Sequence, residues 1–273
     1  AYPELAMVEE TSTVEVSEKY QDVKVLIPVF PGTNSEDDLA YCFREAGFEV
    51  ETLIFNNQEG EIGKSIDRLA NALDEVQVLA LAGGFSAADE PEGSAKFIAT
   101  VFRQEKVKAA FHRLLERKGY VLGICNGFQA LVKLGVFHNQ GILDAKDVKM
   151  SLTYNKILRH QAQMVRTRVE SIHSPWLSGA SLYDEVEVAI SHGEGNFICE
   201  EGVLDNLKEN HQIFSRYLEN PNGSMDNIEG LISADGHILG KMGHTERMRL
   251  GFKNIYHKGN LSIFKWLMDA IKA

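Results

Sequence analysis

Cys125 stands between two glycines in Gly123-Ile124-Cys125-Asn126-Gly127, where the apolar run "YVLGI" gives way to a helical pattern. That spacing is the one a nucleophile turn needs. The chain swings sharply from strand to helix, and side chains larger than hydrogen beside the turn would collide. A helix starting just after Cys125 aims backbone N–H groups and a positive dipole end at the sulfur, which favours the thiolate. The other two cysteines have a different setting. Cys42 falls among Leu39, Phe43 and Ala46 on a helical face, and Cys199 alternates with Phe197 in a strand, so both read as packing residues. Three widely spaced cysteines form neither a disulfide framework nor a CxxC metal knuckle, and no metal ligand is assigned.

A cysteine that attacks an amide or ester requires a histidine to carry protons, and that histidine requires a carboxylate to hold its ring. Two His-x-Glu pairs are available: His192 with Glu194 in "SHGEGNF", and His244 with Glu246 in "GHTER". In extended chain, positions i and i+2 share a side, so either pair could place its carboxylate beside its imidazole. Spacing alone does not choose between them. His112, His138, His173 and His257 have no such companion and are read as solvated. An oxyanion formed by the attack would need backbone N–H donors. "LAGGFS" permits close approach at Gly83 and Gly84, and Asn126 supplies the N–H next to the nucleophile. Neither GxxxxGK[ST] nor GxGxxG occurs, so these glycines do not read as a phosphate loop.

These residues need a scaffold of strands feeding helices. From Val23 onward the pattern supplies one: "VKVLIPVF", a helix through "SEDDLAYCFREAG", "FEVETLIF", a helix through "EIGKSIDRLANALDE", "VQVLALAGGF", one long helical stretch over about 93–118, and "YVLGI". The alternation predicts an α/β fold with an open, mainly parallel sheet and helices on both faces. After about residue 145, "VKMSLTY", "QAQMVRTRVE" and "VEVAISHGEGNF" read as late strands that extend the sheet. A hairpin follows in "GLISADGHILGKMGH", turning at Asp235-Gly236, and "LSIFKWLMDAIKA" closes the pattern as an amphipathic helix. Residues 1–22 are acidic and without strong period, and are expected to be a linker or the end of an upstream domain; residues 23–273 are expected to form one domain.

A net charge of −11, with no cluster of Lys and Arg, argues against a nucleic-acid partner. No apolar run approaches the roughly 18 residues of a spanning helix, and the opening residues lack a secretory pattern, so a cytoplasmic location without membrane contact is expected.

The ordered set "VLIPVFPGTNSEDD", "AGGFSAADE", "GICNGFQAL", "SHGEGNF", "PNGSMDNIEGL" and "GHTER" resembles the class I, or triad-type, glutamine amidotransferases. Within them it is similar to the glutaminase domain of phosphoribosylformylglycinamidine synthase, over about residues 23–270. The resemblance implies Cys125 as nucleophile, His244 as base and Glu246 as its orienting carboxylate. It implies Gly84 and Asn126 as oxyanion-hole positions and Gln129 as a glutamine-binding position. His192 and Glu194 then become a loop beside the site, facing a synthetase. It further implies glutamine as substrate, no cofactor in this chain, and a partner synthetase, fused upstream, that uses ATP and Mg2+ and receives the ammonia. Two positions depart from the family's pattern. Gly243 and Thr245 flank His244 where prolines are common, and Ala87-Ala88-Asp89 replaces Tyr-Gly-Asp.

Overall fold

The computed structural model describes residues 22–88, 93–139, 141–248 and 260–273. The expected linker over 1–22 therefore lies, except for Asp22, outside the described residues, as do Asp89 and His257. The strands are β1 (Lys24–Val29), β2 (Glu49–Ile54), β3 (Val78–Leu81), β4 (Tyr120–Ile124), β5 (Met150–Tyr154), β6 (Gln161–Val169), β7 (Glu185–His192), β8 (Glu194–Cys199), β9 (Ile213–Tyr217), β10 (Ile228–Ile232) and β11 (Ile238–Lys241). The helices are α1 (Glu36–Glu45), α2 (Ile62–Glu75), α3 (Lys96–Phe102), α4 (Glu105–Glu116), α5 (Asn126–Leu134), α6 (Val136–Asn139), α7 (Val203–Glu209) and α8 (Ile263–Lys272).

One sheet runs in the order β2-β1-β3-β4-β11-β10-β9-β6-β7, and β5 pairs with β8 in a separate antiparallel ribbon. From β2 to β11 every pairing is parallel; from β11 to β7 every pairing is antiparallel. The α/β sheet is thus present, its parallel half followed by late strands, but "VKMSLTY" does not extend it, because β5 pairs with β8 outside the sheet. Val25, Leu26 and Ile27 on β1 and all of β3 and β4 are buried on both sides, as continuous apolar runs in a parallel sheet demand. On α1, Phe43 meets Phe264 of α8 edge to face at 4.9 Å, while α2 packs on α4 and α3 on α5.

Two expected elements divide. The helix over 93–118 is α3 and α4, broken at Gln104, whose extended backbone restarts the helix so that Phe102 and Val107 both reach the core. Arg103 fixes the break by donating to the carbonyls of Lys133 at 2.6 Å and Leu143 at 3.3 Å. "VEVAISHGEGNF" is β7 and β8 in different sheets, parted at Gly193. The Asn155 side chain holds that crossing, donating to the His192 carbonyl at 2.8 Å and accepting from Gly195 N–H at 3.1 Å. His112 and His138 are half-buried acceptors rather than solvated groups. The Nε2 of His112 takes the Ile142 N–H and that of His138 the Lys149 N–H, and burial pulls both imidazoles below their ordinary range.

The glycines around Cys125 serve close packing. A Cβ on Gly127 would stand 2.1 Å from the Leu81 carbonyl oxygen, and one on Gly123 would stand 2.7 Å from the Gly127 backbone. The start of α5 thereby rests directly on β3 and β4. Gly127→Ala is expected to cost about 1–3 kcal/mol, read as a lower urea midpoint at unchanged slope; an unchanged midpoint would show that the backbone gives way there.

Candidate active site

Cys125 lies between β4 and α5 with φ 52° and ψ −107°, a conformation that side-chain-bearing residues rarely adopt. Its N–H donates to the Lys241 carbonyl at 2.9 Å and its carbonyl accepts from Gln129 N–H at 2.9 Å, so β11 and α5 together hold the turn. The thiol is buried and points toward the Ser191 carbonyl, 3.8 Å away.

His244 follows β11, the strand paired to β4, and its N–H donates to the Ala189 carbonyl of β7 at 2.8 Å. Its Nδ1 meets Oε1 of Glu246 at 2.6 Å, which leaves Nε2 for a second partner. Histidine and carboxylate meet because the chain turns through a short 3-10 helix at Thr245–Arg247, not because it is extended as spacing had suggested. Burial alone would lower the His244 pKa, but the charges of Glu246 and Cys125 and their hydrogen bonds outweigh it and push the imidazole up to about 10. Gly83 lies between His244 and Cys125: a Cβ there would stand 2.7 Å from His244 Cε1 and 3.4 Å from Cys125 Cβ.

Gly84, at φ 146°, lies against the "PGTN" loop, and a Cβ on it would meet the Gly32 carbonyl at 2.5 Å. Gly32 also accepts the Phe85 N–H at 2.8 Å, and Asn34 N–H donates to Gly83 at 3.1 Å. The two loops are laced together, which fixes the backbone at Gly84. Asn126 and Gln129 belong to one buried relay. Asn126 Oδ1 accepts from Ser86 N–H at 3.2 Å, its Nδ2 donates to Gln129 Oε1 at 2.9 Å, and Gln129 Nε2 donates to the Glu194 carbonyl at 2.5 Å.

His192 and Glu194 correct two expectations. They do not form a pair: Gly193 parts them, His192 Nδ1 meets Asn155 Oδ1 at 3.0 Å, and the Glu194 carboxylate accepts the N–H groups of Gly93 at 3.0 Å and Ser94 at 2.8 Å. Nor do they face a partner, for they are 1% and 3% exposed. Burial, with His160 and His244 nearby, pushes His192 down to about 3 and keeps its ring neutral. The Cys42 thiol donates to the Glu246 carbonyl at 3.3 Å, so this packing residue also touches the site. Asn155, Glu229 and Lys241 support the site without having been singled out from the sequence. A lone charge in each of the apolar strands "IEGLI" and "ILGK" was the available sign for the last two. Among the described residues no group of three or more His, Cys, Asp or Glu is arranged to hold a metal ion, and no helix is long and apolar enough to cross a membrane.

The chain belongs to the CobB/CobQ-like glutamine amidotransferase domain family, whose model matches residues 22–268. Its fold is that of the PurLQS structure from Thermotoga maritima, with a TM-score of 0.65 and 22% identity over 92% of this chain and 98% of that one. The glutaminase domain of Trypanosoma brucei CTPS with bound acivicin is also similar, with a TM-score of 0.53 and 13% identity over 91% and 93%.

Proposed function

We propose that this domain hydrolyses the side-chain amide of glutamine through a Cys125 thioester. The observation that carries the reading is the strained Cys125 turn with the His244–Glu246 pair beside it. The Cys125 thiolate adds to the amide carbon, and the carbonyl oxygen takes the negative charge under the N–H groups of Gly84 and Asn126. Collapse breaks the C–N bond as the His244 imidazolium gives its proton to the leaving nitrogen, releasing ammonia. The raised His244 pKa suits this step, because the acid form is present at neutral pH. Neutral His244 then takes a proton from water, whose oxygen attacks the thioester, and glutamate leaves with the thiolate restored. Gln129 and Asn126 hold the wall of the pocket through their relay to Glu194.

Ammonia protonates readily in neutral water, so a useful product requires a neighbour that receives it under shelter. The "PGTNSEDD" and "GICNGFQAL" stretches, together with the likeness to the PurLQS structure, support as that neighbour an ATP- and Mg2+-dependent synthetase that makes phosphoribosylformylglycinamidine in purine biosynthesis. The test is a glutamine-mimicking diazo-ketone label, with the adduct mapped by peptide mass spectrometry. Adduct on Cys125 that excess glutamine suppresses is the expected result. Adduct on Cys42 or Cys199 would overturn the Cys125 assignment, and no adduct even with the synthetase present would favour a docking module instead. Gly83→Ala drives a methyl into the His244 ring and is expected to lower kcat for glutamate release roughly 100-fold; wild-type turnover in that variant would place His244 elsewhere during catalysis.

A further inference from the structure

Behind the His244 loop lies an ion pair that the proposed chemistry does not use. Lys241, at the end of β11, and Glu229, on β10, have side chains 1% and 0% exposed, and Lys241 Nζ meets Glu229 Oε1 at 3.2 Å. Taking both charges out of water is costly, and an apolar pair of the same volume would hold the sheet at least as well. Their bonds point to another purpose. Lys241 Nζ also donates to the Gly243 carbonyl at 3.1 Å and to Thr245 Oγ1 at 2.9 Å, the two residues that bracket His244. Glu229 Oε1 accepts the Gly243 N–H at 2.8 Å. The main-chain carbonyl of Lys241 accepts the Cys125 N–H, so one residue touches the nucleophile turn with its backbone and the histidine loop with its side chain.

We infer that Lys241 and Glu229 are positioning residues that set the distance between His244 and Cys125. The joint on the strand side of His244 is a glycine. Gly243 has wide backbone freedom, and its N–H and the Thr245 hydroxyl are the groups the ion pair holds. Gly243 has no room to be anything larger, since a Cβ there would stand 2.6 Å from Val188 Cγ1 and 2.9 Å from Glu229 Oε1. The buried charges add a hold on both sides of His244 to the ones that the Ala189 carbonyl and the 3-10 turn already provide. The other Glu229 oxygen, Oε2, is buried without a hydrogen-bond partner among the described residues. Removing Lys241 alone therefore leaves the carboxylate with the Gly243 N–H and an uncompensated charge.

This inference rests on the glutaminase reading, and the experiment separates the two. Lys241→Met is compared with Lys241→Met/Glu229→Gln, which removes both charges, keeps an acceptor for Gly243 N–H and restores a neutral interior. Glutamate release is expressed per Cys125 titrated by the diazo-ketone label, so that misfolded protein does not count. In the double variant kcat is expected to fall roughly 10- to 100-fold with KM for glutamine within about twofold, because neither residue lines the pocket wall. Thr245→Val, which removes a single acceptor and no charge, is expected to lower kcat less while folding as the wild type does. A double variant with wild-type kcat per labelled site would overturn the inference and leave the pair a structural one. The far-downfield proton resonance of the His244 Nδ1–H bond to Glu246 provides a readout independent of turnover. If the wild type neither labels nor releases glutamate, the glutaminase reading fails. A shifted or lost resonance in the double variant would still support positioning, and an unchanged one would sink it.

Discussion

Cys125→Ala is expected to release no glutamate above background, a fall of roughly 10^4- to 10^6-fold, and to take up no diazo-ketone label. The substitution removes one atom and leaves the pocket wall, the Gly84 and Asn126 N–H groups and the His244–Glu246 pair as they are. Glutamine binding should therefore survive, and isothermal titration of the alanine variant would read it directly. Cys125→Gly separates reactivity from strain. The positive φ at this position holds on the order of 1–3 kcal/mol for a residue with a side chain, and glycine relieves it. The glycine variant is expected to be equally inactive yet to melt at or above the alanine variant. Appreciable turnover in either variant would refute the thioester.

Glu246→Gln carries the second large effect. A neutral amide keeps the shape of the carboxylate but no longer stabilises the imidazolium or dictates which ring nitrogen carries the proton. A loss in kcat of roughly 10^3- to 10^4-fold is expected. The proton linkage has a definite sign. His244 is buried, yet Glu246 and Cys125 raise it from 6.5 to about 10 in the folded chain. The stability this gives is fully present below 6.5, where the unfolded histidine is also charged, and is lost as pH rises through 10. Glu246→Gln removes the main source of the elevation. Its melting temperature should lie furthest below that of the wild type near pH 6.5, with the gap closing toward pH 10. A gap that stays constant over that interval would show that His244 is not the group titrating.

The parallel half of the fold was legible because both of its faces are covered, which makes β3 and β4 unbroken apolar runs and leaves β1 apolar from Val25 to Val29. The Cys125 turn was legible for a related reason, since its glycines are dictated by contacts at 2.1 and 2.7 Å to nearby backbone. Pattern could not show that Gly193 sends β7 and β8 into different sheets, because alternation continues across it and the break is held by Asn155, distant in sequence, through its side chain and its N–H. The break at Gln104 was hidden in the same way, its cause being Arg103 reaching the end of α5. Spacing could not choose between His192 and His244. The structure brings His244 to Glu246 and turns His192 toward Asn155, a difference made by local turns and not by residue type. Strand β9 escaped notice because "IFSRY" offers polar residues where the sheet buries them.

The position of β11 bears on how the chain is made. It is the last of the described strands in sequence, yet it sits in the middle of the sheet, between β4 and its own hairpin partner β10. On the ribosome the first four strands can assemble early, but β4 must then wait with a bare edge until the chain past Lys241 has emerged. That interval exposes an apolar strand to unwanted pairing, and it also leaves the sulfur without the groups that surround it in the folded chain. Cys125 lacks its Lys241 contact, and His244 does not yet exist, until the chain past β11 has been made. On the proposed chemistry, catalysis therefore waits for the completed sheet, and a chain stalled before β11 carries a thiol without its histidine.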